Sequence, residues 1–177
     1  MSRETVAAAL VRVESVFRHR PGMGLHDDVP ARVRWEGDSR FVATHPSGVS
    51  IATDMPTEIG GTGDQATPGW LFRAGVASCT ATNIAWAAAL AGIDLDRLDV
   101  EVGSRSDARG LFGLREADGT PVYPGSRDLT MQVRLAARGI APERLRAIVE
   151  TAMTRSPIGV AVETGSPLAL TIEIGEA

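Results

Sequence analysis

The sequence predicts a single α+β domain, and three observations carry that prediction. Short segments alternating apolar with polar residues, the mark of strands, lie on both sides of one long uncharged stretch, Ala74 to Ile93. That stretch is crowded with alanine and glycine and reads as a helix enclosed in protein. At 177 residues the chain suits one domain, and a domain of that size buries roughly 70% of its unfolded surface.

In chain order, residues 1–21 read as an appended amphipathic helix. Val6, Leu10, Val13 and Phe17 recur at helical spacing, Arg12, Glu14 and Arg18 take the other side, and Pro21-Gly22 stops it. Residues 22–30 form a linker of turn formers, and residues 31–177 the main domain. A three-strand meander follows over Ala31–Trp35, Phe41–Thr44 and Val49–Thr53, with turns at Glu36–Ser39 and His45–Gly48. Thr67-Pro68 is a helix start, threonine as the cap and proline in the first turn, and Gly92 ends that helix.

Beyond the helix, Leu98, Val100 and Val102 alternate with Asp99 and Glu101. Leu129, Met131, Val133 and Leu135 do the same, so the polar stretch Arg105–Arg127 is an exposed excursion of a hairpin. Pro142 opens a helix that Ser156-Pro157 interrupts, and Leu168–Ile174 reads as a last strand. Two sheets of three strands are too small to enclose the apolar central helix alone. A second copy of the chain is the expected cover, since two-fold homodimers are the commonest assembly.

Composition narrows the chemistry. All 18 basic residues are arginine, which excludes Schiff-base and lysine-base mechanisms. The formal net charge of −4 without a dense basic run makes nucleic acid an unexpected partner. The stretch Ala74–Ile93 is long enough for a bilayer, but Ser78, Thr80, Thr82 and Asn83 make it too polar, so no membrane partner and a cytoplasmic location are expected. His19, His26 and His45 lie apart, without metal-ligand spacing, and neither a metal nor a cofactor is expected. Gly61–Ala66 matches a dinucleotide-binding pattern, but Met55–Glu58 separates it from the strand and Asp64 would repel a pyrophosphate.

Cys79, the only cysteine, stands midway along the central helix. A lone cysteine there is most often a small buried hydrophobe. Its helical neighbours include Phe72, Gly75, Asn83 and Trp86, and Gly75 leaves room for a ligand or another backbone. Cys79 is too far from the helix start for the dipole to activate it, so a reactive thiolate needs an arginine delivered from elsewhere in the fold.

The run Pro56–Gly63, followed by Thr67–Thr80 with its Ala-Ser-Cys-Thr, resembles the core of the OsmC/Ohr family of osmotically inducible and organic hydroperoxide resistance proteins. Ala31–Asp54 resembles that family's opening meander, and Pro142–Pro157 its second helix. The resemblance implies an intertwined homodimer, with antiparallel sheets wrapping long central helices. It also implies a peroxidase whose cysteine attacks a hydroperoxide and whose second cysteine then forms a disulfide. Carried over, Cys79 is the reactive cysteine and Glu58 the glutamate that pairs with an arginine; Arg40 is the first candidate for that arginine and Arg34 the second. Phe72, Gly75 and Trp86 are expected to meet an apolar substrate.

One departure limits the analogy. The family's second cysteine precedes the proline, where this chain has Arg155-Ser156-Pro157, so the intramolecular disulfide cannot form. Three readings remain: a one-cysteine hydroperoxide reductase using an external thiol, a non-catalytic dimer binding a small apolar ligand, and a dimer without pocket function.

Overall fold

The computed structural model describes residues 3–175. Helix α1 (Arg3–His19) lies along the central helix α2 (Pro68–Leu90). Val6 and Leu10 are half-buried there, while Val13 and Phe17 sit at the margin. Arg3 Nη1 ties the start of α1 to the far end of α2, donating to Gly92 O at 2.7 Å and to Asp94 Oδ2 at 2.8 Å. Thr67 caps α2 by accepting from Trp70 N at 3.2 Å, with Pro68 in the first turn as the sequence predicts.

The meander consists of β1 (Arg32–Gly37), β2 (Arg40–Thr44) and β3 (Ser50–Thr53), antiparallel throughout. Trp35 stands opposite Phe41, and Phe41 opposite Thr53. The β1–β2 turn is tight because Gly37 and Asp38 both take positive φ, 113° and 48°. Little of the meander is covered: Val33, Trp35 and Ile51 are all exposed, and no extensive packing joins it to a helix.

The second sheet holds β4 (Arg97–Arg105) and β5 (Arg127–Ala136), with Val100 opposite Val133 and Val102 opposite Met131. The excursion between them carries one short helix, α3 (Ala108–Leu111). Helix α4 (Pro142–Met153) packs on α2, and after the break at Ser156 the chain turns into α5 (Pro157–Thr164). Ile84, Ala88, Ile93, Ile148 and Ala152 form the core between α2, α4 and this sheet, where Leu98, Val100, Val133 and Leu135 close in.

One expectation needs correction. Leu168–Ile174 forms no strand in this chain. A strand needs a ladder partner, and the second sheet therefore has two strands rather than three. Its alternating Leu168, Leu170, Ile172 and Ile174 lie 94%, 79%, 71% and 94% exposed, an apolar row with nothing against it. Within the single chain the central helix buries one face, through Val76, Thr80, Ile84, Ala88 and Ala89. Trp70, Phe72, Trp86 and Leu90 remain exposed. Among the described residues no helix is long and apolar enough to cross a membrane.

Candidate functional site

Cys79 is half-buried in the fourth turn of α2, and its surroundings are built by the break between α4 and α5. Proline at 157 cannot donate to a continuing helix, so the chain turns there. Ser156 N bonds Met153 O at 3.2 Å and Val160 N bonds Ser156 O at 2.9 Å, which seats the serine side chain against α2. Ser156 is fully buried, and its Oγ donates to Cys79 Sγ at 3.3 Å. Thr80, equally buried, meets the same oxygen at 3.3 Å. A serine hydroxyl has one proton, so the consistent arrangement has Thr80 donating to Ser156 and Ser156 donating to the sulfur. From the next turn, Asn83 Nδ2 donates to Cys79 O at 3.0 Å and lies 3.9 Å from Sγ.

Two cavities flank this point along the same face of α2. Toward its start, an open, mostly apolar cavity of about 820 Å³ is lined by Phe72, Tyr123, Leu129, Ile158 and Ala161, with Asp28 and Ser126 also on its wall. Gly75 belongs to this end, where an added Cβ would meet only Ile158 Cδ1 at 4.0 Å. Trp86 does not share that cavity; it lines a pocket toward the end of α2 with Asn83 and Arg155.

Arg40 and Glu58 lie in a separate cluster. Asp54, at the end of β3, is 2% exposed. It accepts from Ser39 Oγ at 2.6 Å, Thr62 Oγ1 at 2.6 Å, Met55 N at 2.7 Å and Thr62 N at 3.0 Å. The Ser39 hydroxyl, then Thr62 through its hydroxyl and N–H, hold the Asp54 carboxyl well below the usual carboxylate range. Arg40 Nη2 bonds Asp54 Oδ2 at 3.2 Å and Thr62 Oγ1 at 2.9 Å, and it also pairs closely with Asp64. Asp64 is lowered as well, by Thr62 first and Arg40 next.

The expected Arg40–Glu58 pair is therefore replaced by an Arg40–Asp54–Asp64 cluster. Glu58 is exposed on a 3₁₀ turn, Thr57–Ile59, and among the described residues its one hydrogen bond comes from Thr57 Oγ1 at 3.3 Å. Arg34, the second candidate, is exposed on β1 and pairs with Glu36 at 3.4 Å. Within one chain, among the described residues, no hydrogen bond or ion pair links Arg40, Arg34 or Glu58 to Cys79. The cluster pins the Pro56–Gly63 loop to the β1–β2 turn. It depends on Gly61, where an added Cβ would fall 1.7 Å from Met55 O.

That loop has no phosphate cradle. Gly61 N bonds Pro56 O at 3.1 Å, Gly63 N bonds Met55 O at 3.2 Å and Thr62 N bonds Asp54, so these donors are spent internally. Asp54 and Asp64 escaped the sequence reading because neither stands in a motif with Arg40. A polar residue directly after a strand and before a glycine-rich loop was the signal available.

Residues 61–171, more than half of the chain, match the family model described as OsmC-like protein. No curated protein sequence matches the chain. Among solved structures, an OsmC-like protein from Mycoplasma pneumoniae is similar, with a TM-score of 0.64 at 16% identity, covering 78% of this chain and 89% of that one. An organic hydroperoxide resistance protein OsmC from Legionella pneumophila gives 0.55 at 20% identity, covering 77% and 91%. An organic hydroperoxide resistance protein from Elizabethkingia anophelis gives 0.55 at 17%, covering 78% and 89%. The α+β fold is shared with all three, and the family match over residues 61–171 establishes that this chain belongs to the OsmC-like proteins.

Proposed function

We propose that this chain is a thiol-dependent peroxidase that reduces organic hydroperoxides through Cys79 alone, as a homodimer, in a cytoplasm supplied with reducing thiols. The observation that carries the reading is the fully buried Ser156, whose Oγ lies 3.3 Å from Cys79 Sγ. It stands where the resemblance places the second cysteine. A donor there serves a sulfur bearing negative charge, but a hydroxyl cannot form a disulfide.

The chemistry then runs in three steps. The Cys79 thiolate attacks the terminal oxygen of the hydroperoxide; the S–O bond forms, the O–O bond breaks, and the alkoxide leaves and takes a proton to become the alcohol. Cys79 is then a sulfenic acid. A small thiol condenses with it, releasing water and forming a mixed disulfide, and a second thiol frees Cys79 while leaving as the oxidised disulfide. No cofactor is required. The cavity lined by Phe72, Leu129 and Ile158 beside Gly75 suits an alkyl or aryl group on the peroxide.

The homodimer rests on the unmatched surfaces, namely the extended Leu168–Ile174 row and the bare meander. A second copy is also the route by which Glu58 and an arginine would reach Cys79. Light scattering across micromolar concentrations tests this directly, and a persistent monomer would overturn it.

Activity is tested by consumption of cumene hydroperoxide with excess dithiothreitol, native protein against Cys79→Ser. Turnover that disappears in the variant is expected; equal background rates in both would sink the peroxidase reading. The open, mostly apolar cavity of about 820 Å³ supports a second reading, a non-catalytic binder of a small apolar ligand. An unmodified Cys79 after peroxide, together with a ligand retained through purification, would select it.

A further inference from the structure

Among the described residues, Arg155 is the one lining residue of the α1–α2–α4 cleft whose charge has no partner. The outer cleft, an open groove of about 450 Å³, runs between Leu10, Val13 and Phe17 of α1 and Leu90 of α2, and the exposed Arg155 is also on its lining. An inner pocket of about 100 Å³ continues past the same Leu10, Leu90 and Arg155 to Trp86 and Asn83. The other charges lining the cleft, Glu14 and Arg18, neutralise each other through a hydrogen bond at 3.1 Å. Neither a hydrogen bond nor an ion pair engages the Arg155 side chain among the described residues.

The geometry points to a binding site in this cleft for an amphiphile with a carboxylate head and a medium-length alkyl chain, the head held by Arg155. A guanidinium presents a planar fork of donors that matches a carboxylate in bidentate fashion. A doubly charged phosphate fits less well, because the site offers one unpaired cation. The apolar wall contributed by α1 accepts the alkyl chain, and the outer volume lies within the range of small-molecule sites, about 300–1,000 Å³. Because α1 lies outside the family-matched residues 61–171, the site belongs to this chain's own N-terminal helix. It does not depend on Cys79 chemistry, although Asn83 puts its inner wall within 3.9 Å of the sulfur.

Calorimetric titration of the full chain with sodium decanoate, below its micellar range, tests the site. Saturable binding of one decanoate per chain is expected, weakened roughly tenfold or more by Arg155→Gln and to a smaller extent by Arg155→Lys, which keeps the charge but loses the bidentate fork. Decanol, with the same tail and no charge, is expected to bind at least about tenfold more weakly than decanoate. Trp86 fluorescence supplies a second readout, since that ring lines the inner pocket. No saturable binding by the native chain, or equal affinity in native protein and Arg155→Gln, would overturn the proposal. A second copy covering the cleft in place of a ligand would show itself as the first of those results.

Discussion

Replacing Ser156 by cysteine is the most searching perturbation of the Cys79 site. Ser156 Oγ lies 3.3 Å from Cys79 Sγ, and a disulfide needs about 2.05 Å, so the two sulfurs must approach by roughly 1.2 Å. A modest rotation of either side chain about χ1 supplies that. The bond would close a loop spanning 77 positions. Chain-entropy reasoning for a loop of that length puts the stabilisation near 4.5 kcal/mol, less any strain in the buried pocket. For a chain of this size that corresponds to a rise in Tm of about 10 °C. The assay is peroxide treatment of Ser156→Cys, thiol titration and mass spectrometry to detect the loss of two hydrogens, then thermal melting with and without reductant. The oxidised variant should melt higher than its reduced form and resist over-oxidation of Cys79. Two thiols that stay titratable after peroxide, or an oxidised melt no higher than the reduced one, would refute the proximity on which the proposed mechanism stands.

Other consequences follow from the same geometry. Asp54→Asn should destabilise the protein at neutral pH. The Asp54 carboxyl is depressed in the fold, so its contribution is fully present above the unfolded carboxylate value, about 4, and is lost as pH falls below it. Urea melts of the two proteins should therefore converge as pH drops below about 4, and a constant gap would contradict the assignment. Ile84, fully buried at the centre of the core, should cost about 2–5 kcal/mol when truncated to alanine, read as a lower denaturation midpoint with an unchanged m value. The double variant Leu170→Glu, Ile172→Glu alters a segment with no partner in the single chain. It should shift the oligomer toward monomer in sedimentation while leaving the far-ultraviolet spectrum unchanged; an unaltered oligomer would remove that row from the interface.

Most elements were legible in the sequence because each obeys a local rule. Alternation set β1, β4 and β5, the flanking turns set β2 and β3, helical spacing set α1, and the Thr67-Pro68 cap set the start of α2 within the chain's own immediate neighbours. Cys79 stood out by being the only cysteine. What local rules cannot decide is which distant side chains meet. Arg40 has Glu58, Asp54 and Asp64 all within reach in sequence, and the tight turn at Gly61 together with the Ser39 and Thr62 donors assigned it to the aspartates. Ser156 reads as a bland residue before a proline until the α4–α5 break buries it against a sulfur 77 positions earlier. Leu168–Ile174 carries a strand pattern that the single chain leaves unpaired, because a pattern specifies which face seeks burial and the partner must be supplied by another edge. The sequence by itself thus determined the elements and the reactive candidate, through periodicities that need only neighbouring residues. The tertiary structure decided the donors at the sulfur, the carboxylates that claim Arg40 and the cleft at Arg155, because each depends on long-range packing.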